Sequence, residues 1–230
     1  LLPEPEALGL LALMLLQDSR RDARLDAAGE LVLLEDQDRS RWSRAQIDEA
    51  IPMVERALRS RRFGPYAIQA AIAAVHAEAA SGANTDWAQI VALYDQLLAC
   101  RPTAVVALNR AIAIGELQSV ERALAELDRI DSAAVEAYQP FHAAHADLLA
   151  RAGRVDEARH AYGRAIDLTA ALGIARMLVT TPFWGWARDG ARFRHGAGKA
   201  MPRVVESFGR LTRRAEQRGR RILSAAAGCA

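Results

Sequence analysis

The run Gln37-Asp38-Arg39-Ser40-Arg41-Trp42 brings two guanidinium groups, a carboxylate and an indole close together in the chain. That combination suits protein recognition. An arginine fork takes a carboxylate through paired hydrogen bonds, and tryptophan supplies an aromatic anchor. The competing reading is structural: a charged turn with Trp42 folded into the core. A second group follows at Pro65, Tyr66, Gln69 and His76. Gln69 and His76 are seven positions apart, so on a helix they share one face two turns apart. Polar groups on an otherwise apolar helix either satisfy buried backbone or face a partner. The internal role is the commoner of the two. We take Gln37, Asp38, Arg39, Trp42, Pro65, Tyr66, Gln69 and His76 as the candidate interaction residues. Tyr66 and Gln69 are expected to lie close to the 37–42 run.

Other chemistry is thinly represented. His142 and His145 are three positions apart and would share a helix face. A metal site needs three or four ligands and no third is evident, so hydrogen-bonded histidines are expected there. Carboxylates are plentiful, but no pair is marked out for acid–base work. Asp18, Asp36 and Asp38 suit caps or ion pairs better. There is no Gly-rich phosphate loop opening a helix, no Cys-x-x-Cys pair and no Gly-x-Ser-x-Gly elbow. No catalytic, cofactor or metal residue is assigned, and a role other than an enzyme's is expected.

Composition points to helices. Of 230 residues 51% are hydrophobic, dominated by Ala and Leu, the best helix formers, while strand-forming clusters are scarce. The longest apolar run, Leu8 to Leu16, is too short to span a bilayer. The two cysteines, Cys100 and Cys229, do not make a disulfide framework, so a reducing cytoplasm is expected. The start, Leu1-Leu2-Pro3-Glu4, has neither a basic leader nor an initiator Met, which suggests a piece of a longer chain.

The elements that must carry the candidate residues can be placed from local signals. A helix buried nearly all round is expected over Glu6–Asp18, then a turn at Asp26-Ala27-Ala28-Gly29-Glu30. Ser43 is a candidate N-cap for a helix from Arg44 to about Ser60, with Pro52 able to kink or divide it. Gly64-Pro65 breaks the chain and opens a helix to Ala80. Residues 81–86 form a loop ending in Asp86 as a candidate cap, and further helices are expected over Trp87–Ala99, Val105–Ile114 (ended at Gly115), Val120–Ile130, Ala143–Ala152 (ended at Gly153) and Asp156–Leu168. The positions Ala146, Leu149, Gly153, Ala158, Tyr162, Ala165 and Leu168 match the small and large sites of a tetratricopeptide unit. Ala123 lies 35 positions before Ala158, and Ile90 lies 33 before Ala123. The expected fold is all-α, a tetratricopeptide-like array of helical hairpins. Its divisions are 1–80, a helical region; 81–169, the repeats; and 170–230, a basic tail.

The tail differs in kind. Residues 170–230 hold 12 of the 30 basic and 3 of the 28 acidic residues, a surplus of nine positive charges, whereas the rest is net negative by seven. Phe183, Trp184, Trp186 and Phe193 could stack on bases and the arginines could neutralise phosphate. The preferred reading is a poorly ordered or frame-shifted tail whose charge has no evolved partner. At most one basic helix, Val204–Leu223, is expected in it.

Glu6–Leu16, Gly29–Trp42, Gly64–His76, Trp87–Asn109 and Ala143–Tyr162 occur in an order and spacing that resemble a known family. They are similar to the helical, tetratricopeptide-like C-terminal extension of extracytoplasmic-function RNA polymerase sigma factors. Leu93-Tyr94-Asp95-Gln96-Leu97 and Leu108-Asn109-Arg110-Ala111 are particularly close to it. The resemblance spans about residues 3 to 169. It implies a regulatory portion in a transcription initiation factor, tuning the sigma regions of the same polypeptide or RNA polymerase. DNA would be met only through N-terminal promoter-binding regions absent from these residues, with no cofactor and no membrane. The alternative is a free-standing helical-repeat scaffold that takes a protein or peptide in its concave groove.

Overall fold

A computed structural model describes residues 4–171 apart from positions 28 and 30. Among the described residues the fold is an all-α array of nine helices and no strand; Leu25 and Leu31 form a single isolated antiparallel bridge. The expectations for 170–230, the basic helix Val204–Leu223 included, lie outside the described residues, save that the last helix runs to Ala171. The chain falls into two compact units, Leu1–Ala113 and Ile114–Ala230. The division expected at 80/81 lies inside the first.

In the first unit α1 (Glu4–Asp18) packs on α2 (Arg44–Arg59) and α3 (Pro65–Glu78), and α3 also packs on α4 (Trp87–Cys100). Helix α3 is buried at every position from Ala67 to Ala77. A helix enclosed on all sides can be apolar all round, which is what its Ala-rich sequence provides. Pro65 opens it, where the absent N–H leaves nothing unpaired. Helix α2 is amphipathic instead, burying Ile47, Ala50, Val54 and Ala57 along one stripe. It runs unbroken through Pro52, which is exposed, so the carbonyl left without a donor lies on the watery face.

Two sequence-based cap assignments had different outcomes. The Asp86 carboxylate accepts from the Gln89 amide at 2.9 Å and starts α4. Ser43 precedes α2 but makes no side-chain cap. Its amide donates instead to the Ser19 carbonyl at 2.8 Å, tying the start of α2 to the end of α1.

The chain continues with α5 (Ala104–Leu117), α6 (Val120–Leu127), the one-turn α7 (Ser132–Val135), α8 (Gln139–Arg151) and α9 (Val155–Ala171). In the second unit α8 packs on α6 and α9. Gly115 does not end α5, contrary to expectation. A Cβ there would sit 3.0 Å from the Ala123 Cβ and 3.4 Å from the Leu148 Cδ2, so this glycine serves a close approach between helices. Helix α8 begins at Gln139, earlier than expected, because Pro140 occupies its first turn. It ends as expected at Gly153, in the left-handed region, with Arg154 N–H donating to the Leu149 carbonyl and Gly153 N–H to that of Ala150. The hairpin stripe is in place: Ala146, Leu149, Ala158 and Ala165 are buried and Tyr162 is half-buried.

Helices α1 and α3 approach closely at Gly9. A Cβ on Gly9 would lie 2.6 Å from both Cα and N of Ala67. Those are backbone atoms, so no side-chain rotation relieves the clash. Gly9→Ala gains about 1 kcal/mol in helix propensity, but overpacking of this kind costs about 1–3 kcal/mol. Because the clash is with backbone, the upper part of that cost applies, and a net destabilisation of about 1–2 kcal/mol is expected in urea unfolding. Met14→Ala, on the exposed side of α1, is expected to shift stability by less than about 0.5 kcal/mol. Equal effects of the two would contradict the packing described.

Candidate functional site

Both ends of α3 are closed by charged side chains from elsewhere in the chain. At the N-terminus the Glu6 carboxylate, itself buried, accepts from Gly64 N–H at 2.7 Å, Tyr66 N–H at 3.1 Å and Ala67 N–H at 3.2 Å. These are donors that a helix start leaves unpaired, and a negative charge there also suits the helix dipole. At the C-terminus the Arg39 guanidinium donates to the carbonyls of His76 and of Ala79, the latter at 3.0 Å. That matches the opposite pole.

Arg39 reaches α3 from a short helical turn, Arg39–Arg41, that the sequence itself sets up. The Asp38 carboxylate caps this turn, accepting from the Ser40 amide at 2.9 Å and the Ser40 hydroxyl at 2.6 Å. Those bonds hold the Asp38 carboxyl below its usual range. The buried Gln37 side chain anchors the preceding loop through its Nε2, which donates to the Val32 carbonyl at 3.1 Å.

Trp42 is 6% exposed, and two guanidiniums approach its ring. Arg39 Cζ lies 4.8 Å and Arg20 Cζ 5.6 Å from the ring centroid, inside cation–π range. Arg20 is itself buried and donates to Gln17 Oε1 at 3.0 Å. Burial first, then the like charges of Arg24 and Arg39, disfavour its charged form. His76 completes the cluster. It is 7% exposed and meets Trp87 edge-on, ring centroids 5.4 Å apart at 78°. A groove of about 370 Å³ opens beside this cluster, with Arg39, Trp42 and Arg44 on one side and Ala77 to Ala80 on the other.

The structure therefore brings Arg39, Trp42 and His76 together, with Asp38 and Gln37 shaping the approach. It does not bring Pro65 and Tyr66 there. They sit at the Glu6 end of α3, and Tyr66 is ten positions from His76, about 15 Å along a helix axis. Gln69 is buried within α3, in the half nearer Glu6. The proximity of Tyr66 to the 37–42 run is corrected accordingly: the run contacts the far end of the helix. Sequence reasoning missed Glu6, Arg20 and Trp87. A glutamate within the first turn of an otherwise apolar helix was the signal for Glu6. Arg20 carried none, because its role depends on where Trp42 folds. His142 stands apart from this cluster, its Nε2 3.0 Å from the Glu136 carbonyl. Among the described residues no group of three or more His, Cys, Asp or Glu could hold a metal ion. No described helix is long and apolar enough to cross a membrane.

Residues 1–58, which hold α1, the Arg39–Trp42 segment and most of α2, match the family described as "Family of unknown function (DUF6596)". The chain is also similar to "Uncharacterized protein R00370" of Rhizobium meliloti (strain 1021), 50% identical over 165 residues. That match covers 72% of this chain but 39% of the relative, so the chain spans well under half the length of the curated protein it matches. No solved structure matches.

The buried imidazole makes stability depend on pH. Burial first, then the positive charges of Arg20 and Arg39, push the His76 pKa down to about 3. In the unfolded chain the ring titrates near about 6.5. Between those values the unfolded chain binds a proton that the folded one refuses, so stability falls as pH drops through that window. The slope from this residue reaches about 1.4 kcal/mol per pH unit. Burial also lowers His145, with the same sign, so a comparison of variants isolates His76. Urea midpoints between about pH 6.5 and 5 should fall more steeply for the wild type than for His76→Gln. Parallel slopes would show that His76 is not held neutral.

Proposed function

We propose that this chain is the C-terminal regulatory portion of an extracytoplasmic-function sigma factor, acting in the cytoplasm through contacts with the sigma regions of its own polypeptide or with RNA polymerase. The observation that carries this reading is the placement of the family-like blocks. Glu6–Leu16, Gly29–Trp42 and Gly64–His76 are separate in sequence, yet they meet in one packed unit, at the two ends of α3. The all-α array fits the extension implied by the resemblance. The length of the Rhizobium relative beyond the match leaves room for promoter-binding regions in a protein of that kind. On this reading these residues carry out no catalytic step and touch no DNA themselves. The Arg39–Trp42 face is the contact surface.

Sequencing the gene upstream of Leu1 tests the premise: an in-frame helix-turn-helix region is expected, and its absence would remove most of the support. The face itself is tested by transcription from the cognate promoter with the full-length protein. Two double variants separate the two ends of α3. Arg39→Gln with Trp42→Phe is expected to change transcription at least about fivefold, the low end of a typical coupling between sites. Tyr66→Ala with Gln69→Ala probes the Glu6 end. If the first pair leaves transcription unchanged while the helical circular dichroism of the protein is retained, the face is only packing.

A further inference from the structure

Among the described residues several exposed and half-exposed arginines are neutralised within the chain. Arg21 pairs with Asp18, Arg44 with Asp48, Arg56 with Glu4, Arg59 with Glu55 and Arg110 with Asp95. The buried and half-buried arginines that flank Trp42 are not. Neither Arg20 nor Arg39 has a carboxylate within ion-pair distance among the described residues. Their partners are an amide oxygen, two backbone carbonyls and one shared indole ring. The end of α3 supplies about half an elementary negative charge. Two full positive charges oppose it in a place where water screens poorly, and uncompensated charge of this kind is expensive to hold. A third observation adds to this. The Trp42 Nε1 is buried and finds no acceptor among the described residues, although Trp42 lines the groove.

We infer that the groove between Arg39, Trp42 and Arg44 and the C-terminal end of α3 is a docking site for an acidic protein segment, whose carboxylate supplies the counter-charge that the Arg20–Trp42–Arg39 stack lacks. Ala79 and Ala80, the accessible apolar residues of the groove, take an aliphatic anchor beside that carboxylate. Glu78, on the same groove and exposed, opposes an acidic ligand and limits its affinity. The inference rests on the functional reading above and names the chemistry of the partner at that same face.

Fluorescein-labelled dodecapeptides provide the test. They share one Leu anchor and differ in carrying Glu, Gln or Lys at the flanking positions. Binding to the full 230-residue chain is followed by polarisation at low and high salt. The Glu peptide should bind, the Gln and Lys peptides should not, and added salt should weaken the complex. Arg44 and Glu78 are exposed, so changing them leaves the core intact. Arg44→Glu should weaken binding about tenfold and Glu78→Lys should tighten it about threefold. Equal binding of the Glu and Gln peptides, no binding of either, or indifference to both substitutions would overturn the inference. Transcription that depends on this face without any acidic preference overturns this inference and leaves the functional reading standing. Acid-dependent binding with no transcriptional effect does the reverse.

Discussion

Helix α3 has almost no polar surface of its own, and the first unit is built around holding it. Buried from Ala67 to Ala77, it cannot leave its terminal amides and carbonyls to water. Glu6 takes the amides and Arg39 takes the carbonyls. Each of these hydrogen bonds to a charged group contributes about 1.5–3 kcal/mol, against about 1 kcal/mol for a neutral one. Area burial alone would let an Ala-rich helix slide along its neighbours, because alanine offers few features to lock a register. The charged clamps set the axial position, and the Gly9–Ala67 contact sets the distance to α1.

That arrangement has an electrostatic consequence. To serve as a C-terminal cap, Arg39 must lie against the helix end, which places it over Trp42 next to Arg20. Each cation–π contact is worth about 0.5–2 kcal/mol, enough to fix orientation and too little to offset a buried like-charge pair. Burial first, and then the neighbouring positive charges, accounts for the neutral His76 and the lowered Arg20, and burial alone for the lowered Arg39. Two structural requirements, capping α3 and covering Trp42, thus leave a basic spot beside an open groove. The docking site proposed above is in this sense a by-product of packing.

Much of the fold was legible because its signals are local. Gly64-Pro65 opens α3, Asp86 caps α4, and Gly153 closes α8, each by backbone chemistry that a few neighbouring residues determine. The failures share a cause of the opposite kind. Gly115 reads locally as a helix stop, but its smallness answers to Ala123 and Leu148, which no local window contains. Ser43 reads locally as a cap, but its side chain makes no cap bond and its amide ties α2 to Ser19 at the end of α1. The candidate site divides the same way. Arg39, Trp42 and His76 could be selected from residue type and setting. The separation of Tyr66 from them could not be, since nothing in residues 37–42 says which end of α3 they reach. Glu6 and Arg20 were passed over for the same reason.

Glu6 holds the start of α3 through the amides of Gly64, Tyr66 and Ala67. Native-state hydrogen exchange, comparing the wild type with Glu6→Gln, measures this directly. The exchange of those three amides is expected to speed up at least about tenfold in the variant, corresponding to about 1.4 kcal/mol of lost protection. The amides of α4 should keep their wild-type rates relative to global unfolding. Unchanged protection at Gly64, Tyr66 and Ala67 would show that α3 is positioned by apolar packing alone, and that the clamp described here does not govern the unit.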